Sequence, residues 1–239
     1  MYKKYTHIFF DLDNTLWDFE KNSRCAMMET FCYFQLDRKN DFDRFFEIYS
    51  KHNHQLWESY RNKEVGKSEL VLKRFQDTLI EQKIDGVDPL GMNTHYLSVM
   101  PKQKILNEGV LETLDYLKAK RYKMYIITNG FREVQNNKLE SSGLRPYFSK
   151  VFISEEIKVP KPGREIFEYA IKSANAKKQN SIMIGDDWVV DVIGALHFGI
   201  DTVHFDLTES RELIAAKNPV NISNHLYKCG FLGSLQTLL

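Results

Sequence analysis

"FFDLDNTLWDF", residues 9 to 19, runs an apolar segment straight into two carboxylates. Ile8, Phe9 and Phe10 read as the end of a buried strand, and Asp11 and Asp13 follow one residue apart. Like charges at that spacing repel, and burying either one unpaired is costly. The pair therefore calls for water or a cation beside it, and for other residues that bring one there.

Outward from this stretch the texture changes twice. From about Phe19 to about Val99 strand signal is absent. "KNSRCAMMETFCYFQL", "DFDRFFEIYSKHNHQLWESYRN" and "KSELVLKRFQDTLIEQK" carry helical spacing instead. In the third, Leu72, Phe75 and Leu79 are expected to form one apolar stripe. Turn signals at "DRKND", Gly66 and "DGVDPLG" separate the pieces. Cys25 and Cys32, seven apart on the first of these helices, are expected to share a packed face. Beyond Pro101, short apolar strands alternate with helices: "KMYIITNG", "SKVFIS", "NSIMIGDD" and "DTVHFD" against "VLETLDYLKAKRY", "FREVQNNKLESSG", "GREIFEYAIKSAN" and "VVDVIGALHFG". Gly143 is expected to cap its helix in the left-handed conformation, and Gly199 to stop another. The alternation predicts an α/β protein, a Rossmann-like parallel sheet with helices on both faces. The catalytic core would comprise residues 1–16 and 101–239. An all-helical cap domain, residues 17–100, would be inserted after the first strand.

Bulk properties narrow the function classes. The chain has 239 residues, 43% hydrophobic and 27% charged, with a net charge of +1, which is ordinary for a globular protein. No large field draws it to a nucleic acid polymer or a membrane. Three cysteines, Cys25, Cys32 and Cys229, lack a CxxC pattern and suggest neither a disulfide framework nor a thiolate zinc site. "MYKKYTHIFFDLD" reads as neither signal peptide nor membrane span, so a reducing cytoplasm is the expected setting.

In an open parallel sheet, ligands bind beyond the carboxyl ends of the strands, where strand order reverses. Those ends carry Asp11 and Asp13, then Thr128-Asn129-Gly130, then Lys161 in "EEIKVPKPG", then Asp186-Asp187 with Asp191 close behind. Singly each has a bland explanation, since an Asp after a strand is commonly a turn residue or helix N-cap. Together they suit one chemistry. Several carboxylate oxygens make a hard-cation site, most naturally for Mg²⁺. A cation, a lysine, a hydroxyl and free backbone N–H groups make a cradle for a phosphoryl group. A calcium loop is excluded, because Leu16 and Asn22 stand where it needs glycine and glutamate. "HNH" at 52–54 does not make a metal clamp, because His52 and His54 on a helix point about 200° apart.

These segments resemble the four motifs of the haloacid dehalogenase superfamily: "DLDNTL", "ITNG", the "VPKP" lysine and "GDDWVVD", in order over the whole chain. The helical insertion is similar to that superfamily's cap. "ITNGF", "ISEEIKVPKP" and "NHQLWESYRNKEVGKSEL" are further similar to bacterial pyrimidine 5′-nucleotidases. The resemblance implies that Asp11 is the nucleophile and forms an aspartyl-phosphate. Asp13 would be the acid for the leaving oxygen and then the base for water. Asp11, the Asp13 carbonyl and Asp186 would hold Mg²⁺. Thr128 and Lys161, with Asn14 and Asn129, would contact the phosphate. Asp191 would sit in the outer sphere or orient Lys161. Asp187 departs from the small hydroxyl residue of many relatives and could ligate, support the site or face solvent.

The expected substrate is a small phosphorylated metabolite, with a pyrimidine nucleotide favoured. Tyr49, Asn53 and Tyr60 share a helix face with Phe42, Phe45 and Leu56, and Trp57 lies beside it. A bundle core accounts for Phe42 and Phe45. The amide of Asn53 among aromatics suits recognition of a planar base. Trp17 and Phe131 are further candidates for the pocket wall. A carbon–halogen hydrolase would need neither Asp13 nor a metal, so Asp13 and Asp186 count against it. A sugar phosphatase or phosphomutase stays open. A phospho-acceptor signalling domain combines similar residues but lacks an insertion after its first strand.

Overall fold

His7, Ile8, Phe9 and Phe10 form β1, buried along its whole length because it is paired on both sides. The computed structural model describes residues 4–206, 220–223 and 225–239, with backbone alone at 220–223. It divides into two compact units, Met1–Phe19 with Lys104–Leu239, and Glu20–Gln103.

The first unit is the α/β core. After β1 come β2 (Lys123–Thr128), β3 (Lys150–Ile153), β4 (Ser181–Gly185), β5 (Asp201–Phe205), β6 (Val220–Ser223) and β7 (Leu226–Cys229). Their order in the sheet is β3-β2-β1-β4-β5-β7-β6. Phe9 stands opposite Tyr125 of β2 and Met183 of β4. All neighbours run parallel except β6, which pairs antiparallel with β7 at the edge. The chain leaves β1 toward β2 and β3 on one side and returns to β4 and β5 on the other. The order therefore reverses beside β1, and the carboxyl ends of β1, β2 and β4 face a shared crevice.

Strand periodicity sends alternate residues to opposite faces. Phe9, Tyr125, Ile127, Phe152 and Met183 pack against Ile166, Phe167, Ala170 and Ile171 of one helix and Ala195 and Phe198 of another. Phe10 points the other way and meets Phe148 edge-on, with centroids 6.1 Å apart. Burying each such ring is worth roughly 1.5–3 kcal/mol. Gly143, at φ 74°, follows the helix Arg132–Ser141 in the left-handed conformation its position predicts.

The second unit is helical: α1 (Phe19–Tyr33, all but its first residue), α2 (Phe42–Arg61), α3 (Lys67–Glu81) and α4 (Pro89–Val99). Asp41 caps α2 by accepting from Arg44 N, and Asp88 caps α4 by accepting from Leu90 N and Gly91 N. Phe45 and Tyr49 of α2, Phe75 of α3 and Tyr96 of α4 are fully enclosed in its interior. Two expectations need correction. The buried face of α1 is Asn22, Ser23, Ala26, Met27, Thr30 and Phe31, so Cys25 and Cys32 lie together on the outer surface. The buried stripe of α3 is Leu70, Arg74, Phe75, Thr78 and Leu79, and Leu72 stands 37% exposed on the flank. No helix among the described residues is long and apolar enough to cross a membrane.

Candidate active site

The core elements after Ala119 that position the site are α6 (Arg132–Ser141), α8 (Arg164–Ser173) and α9 (Gly194–Phe198), preceded by α5 (Val110–Ala119) and with α7 (Ser154–Ile157) after β3. Asp11 leaves β1 with its N–H bonded to Ile184 O of β4, which holds it at the point of strand reversal. Its carboxylate meets Lys161, whose Nζ donates to Asp11 Oδ1 at 2.5 Å and to Asp191 Oδ1 at 2.6 Å. Lys161 is 1% exposed, so its charge is balanced within the protein. Asn129 fixes the loop that carries it: the side-chain amide donates to Lys161 O at 2.9 Å and accepts from Lys161 N at 2.8 Å. The Asn129 side chain thus holds the backbone of Lys161 at both its N–H and its carbonyl.

Asp191 rides on a π-helical turn, Trp188–Ile193, that runs into α9. The turn is capped by Asp187, whose Oδ1 accepts from Val189 N and Val190 N at 2.9 Å each. Gly185 precedes the two aspartates, and a Cβ there would lie 2.4 Å from the Asp191 carboxyl, so only glycine lets that group come so close to the strand. Asp186 accepts from Thr15 Oγ1 at 2.8 Å, and its carbonyl accepts from His204 Nε2 at 3.0 Å.

Asp11, Asp186 and Asp191 each offer an oxygen within 4.8 Å of the others. Burial raises the Asp11 carboxyl well above the usual carboxylate range, with Lys161 opposing. Burial and then Asp191 push Asp186 up to about 7, against Thr15 and Lys161. Burial also raises Asp191. Burial pulls Lys161 down, but Asp11 and Asp191 together more than reverse it and leave it raised. Three hard oxygen donors with a single ammonium among them are under-neutralised, and a divalent cation fits that donor set.

Asp13 faces a different set of partners. Its Oδ1 accepts from Lys138 Nζ at 2.6 Å and its Oδ2 from Gln135 Nε2 at 2.9 Å. Gln135 Nε2 also donates to Thr128 Oγ1 at 2.6 Å, and Gly130 N approaches the same oxygen at 3.4 Å. The Thr128 hydroxyl accepts on that side, which turns its own proton away from Gln135. Burial lowers the Lys138 ammonium, with Asp13 opposing. Asn14, at φ 61°, gives its backbone N–H to Trp17 O and its carbonyl to Asn107 Nδ2, so its backbone is occupied by the loop itself.

Thr15, Asn107, Gln135 and Lys138 did not stand out in the sequence. A signal for two of them exists. The buried stripe of α6 is Val134, Gln135, Lys138 and Leu139, a core-facing pattern with two polar residues in it.

The expected substrate contacts divide. Trp17 is wholly buried, with its ring 4.4 Å from Lys138 Nζ, and Phe131 is 3% exposed. In the helical unit, Tyr49 packs against Phe75 and Tyr96, and Asn53 accepts from Arg74 Nη1 at 3.3 Å. Both are interior residues there, because the buried Arg74 guanidinium needs acceptors and Asn53 and Asn93 supply them. Trp57 and Tyr60 keep accessible surface and meet edge-to-face at 5.6 Å. His52 bonds Glu81 at 2.8 Å and His54 is exposed, as ordinary helix residues.

The family model described as haloacid dehalogenase-like hydrolase matches residues 5–199. The chain is 30% identical to the pyrimidine 5′-nucleotidase PynA of Streptococcus pneumoniae, over 92% of this chain and 87% of that one. It is 32% identical to the pyrimidine 5′-nucleotidase YjjG of Escherichia coli, over 83% and 85% respectively. A glyceraldehyde 3-phosphate phosphatase of Methanothermobacter thermautotrophicus is 26% identical over 90% and 93%. Among solved structures, the protein YfnB of Bacillus subtilis superposes with a TM-score of 0.84, at 24% identity and 99% coverage of both chains.

Proposed function

Because the chain belongs to the haloacid dehalogenase-like hydrolases and is a phosphatase, we propose that it hydrolyses nucleoside 5′-monophosphates with a preference for pyrimidines, using Mg²⁺. What carries the reaction is the buried ammonium of Lys161 placed on Asp11, which leaves a carboxylate nucleophile beside a phosphate-binding cation. What supports the base is the likeness to two pyrimidine 5′-nucleotidases over most of the chain.

In this assignment Asp11 Oδ attacks phosphorus, the ester P–O bond breaks, and Asp13 passes a proton to the departing oxygen. Asp13 then takes a proton from water as that water displaces the phosphoryl group from Asp11. Thr128 and Lys161 hold the non-bridging oxygens. Attack of an anion on an anion requires the charge to be screened, and phosphoryl transfer is mostly positioning plus such screening. Mg²⁺ held by Asp11, Asp186 and the Asp13 carbonyl would supply the remaining positive charge. Asp191 orients Lys161, and Asp187 supports the turn that carries Asp191. Trp57 and Tyr60 are assigned to the base, where stacking is worth about 1–3 kcal/mol.

A screen of uridylate, thymidylate, adenylate and glyceraldehyde 3-phosphate with Mg²⁺ tests the proposal. Pyrimidine nucleotides should be cleaved fastest and chelator should stop turnover. Asp11→Asn should lower turnover by at least ~10³-fold, as expected when a covalent route is lost. Adenylate cleaved as fast as uridylate would remove the base preference. Faster cleavage of the triose phosphate would favour the sugar-phosphatase alternative, which the archaeal relative supports. Full activity in excess chelator would remove the metal.

A further inference from the structure

We propose that Lys138 and Gln135 are positioning residues that clamp the Asp13 carboxylate and tie it to Thr128, so that the proton-transferring group and the phosphate-gripping hydroxyl are set by one turn of α6. The proposal rests on the assignment of Asp13 to proton transfer.

Three observations in the core unit carry it. The first is Lys138 itself. Its side chain is 2% exposed, and its ion pair is with Asp13, 2.6 Å away. The rings of Trp17 and Phe19 lie 4.4 and 5.3 Å from Nζ and shut it off from solvent. Lysine ordinarily carries its ammonium to water. A leucine or methionine would fill the same space without desolvating a charge. The ammonium is therefore accounted for by what it does to Asp13, whose carboxylate keeps 27% of its surface open.

The second is Gln135, wholly buried one helical turn before Lys138. One nitrogen, Nε2, serves both Asp13 Oδ2 and Thr128 Oγ1. The amide cannot be turned over, because its oxygen would then face a carboxylate. Its Oε1 accepts no hydrogen bond, an unsatisfied buried acceptor. A glutamine placed for packing would satisfy both ends. This one leaves one end unmet and keeps both contacts of the other.

The third is Gly130. A Cβ there would lie 2.3 Å from Gln135 Cδ. The glycine of "ITNG" thus clears the space in which the amide bridges the two groups.

Both oxygens of Asp13 are held by donors three residues apart on one helix, which fixes the plane of the carboxylate rather than one of its atoms. A carboxylate free to rotate would present a proton to the leaving oxygen in only a fraction of its orientations.

The test is a double-mutant cycle on two substrates, phenyl phosphate and 4-nitrophenyl phosphate, which differ in how much protonation the leaving group needs and carry no base. Lys138→Met keeps the packing under Trp17 and removes the charge. It should lower kcat on phenyl phosphate by about tenfold or more, within the range general acid catalysis commands. On nitrophenyl phosphate it should cost less than about threefold, with KM unchanged on both. Lys138→Arg should recover part of the loss. Gln135→Met should lower kcat and raise KM, since it also frees Thr128. Added to Asp13→Asn, Lys138→Met should cost nothing more, because its effect passes through a carboxylate already gone. Equal losses on both substrates, or full multiplication of the Asp13→Asn and Lys138→Met losses, would overturn the proposal and leave Lys138 a folding residue. If Lys138→Met is too unstable to assay, Lys138→Arg and Gln135→Met decide the same question by the same split. Asp13→Asn alone, compared on the two substrates, tests the assignment of Asp13 as acid. The non-additivity of Lys138→Met with Asp13→Asn tests the clamp whichever proton Asp13 moves.

Discussion

At the scale of the residue, Asn53 separates what spacing reveals from what packing does. An amide in an aromatic stripe suggests a base reader, yet its Oδ1 is taken by Arg74, a buried guanidinium that donates to Asn53 and Asn93. Asn53→Ala should therefore cost stability, about 1–3 kcal/mol for a buried donor left unmet. It should impair hydrolysis of nucleotides and of nitrophenyl phosphate alike. Denaturant unfolding together with the two assays checks this, and a selective loss on nucleotides with stability unchanged would return Asn53 to the base. Asp11, Asp13 and Asp186 could be picked out because they come directly after a strand, where backbone geometry aims side chains at the crevice, and Lys161 and Asp191 because they lie in the loop and the turn beyond such ends. Thr15, Asn107, Gln135 and Lys138 act on other residues of the site, and apart from the two polar positions in the buried stripe of α6 no spacing marks a group whose partner lies far away in the chain. Trp17 and Phe131 are both buried, and an aromatic near a site is as useful for shutting water out as for touching a substrate.

At the scale of the element, β1 is readable because it is buried on both faces and so loses the alternation of a surface strand. Its neighbours β2 and β4 are similarly apolar. The pair β6 and β7 was not anticipated, since "VNIS" and "LYKC" mix polar with apolar residues and neither makes the apolar run that marks β1. Helix faces were harder. In α1 and α3 the apolar residues are spread around the helix, and serine, threonine, asparagine and arginine take interior positions beside them. The start of β5 offers a test of how one element is fastened. Asp201 accepts from Tyr5 Oη at 2.5 Å, from Lys4 Nζ at 2.8 Å and from His225 Nδ1 at 2.7 Å. Tyr227 faces Lys4 and Tyr5 in the same cluster. Burial raises the Asp201 carboxyl, but Lys4, Tyr5 and His225 outweigh it and hold the group below the usual carboxylate range. A carboxyl depressed on folding stabilises above its unfolded pKa, near 4, and loses that contribution as pH falls through its folded value. Asp201→Asn should thus lower the unfolding temperature at pH 7, and the gap to wild type should narrow as pH falls below about 4. A gap of constant size over that window would mean that the hydrogen bonds, not the charge, do the fastening.

At the scale of the whole molecule, the alternation of strand and helix after Pro101 made the α/β class readable, and the loss of strand signal between Phe19 and Val99 marked the helical insertion. What no pattern could give is the charge balance of the finished site, because it arises only when β1 and β4 lie side by side and bring Asp11 next to Asp186 and Asp191. That balance has a consequence for stability. Buried Asp11 and Asp191 share the ammonium of Lys161, and half-buried Asp186 beside them is raised to about 7 by burial and by Asp191. A divalent cation that binds only the folded chain relieves the imbalance and stabilises it by mass action, about 2.7 kcal/mol at a hundredfold excess over Kd. Chelator-treated protein should melt several degrees higher when millimolar Mg²⁺ is restored, at roughly 2–4 °C per kcal/mol for a chain of this size. Asp186→Asn and Asp11→Asn should each remove most of that shift. In the absence of metal either variant should melt no lower than the wild type, since it deletes one of the repelling charges. The measurement requires only a melting curve and no substrate, so it stands apart from every assay of turnover. A wild-type shift that persists undiminished in Asp186→Asn would place the cation elsewhere on the molecule, and the crevice at the end of β1 would have to carry its excess of carboxylates without one.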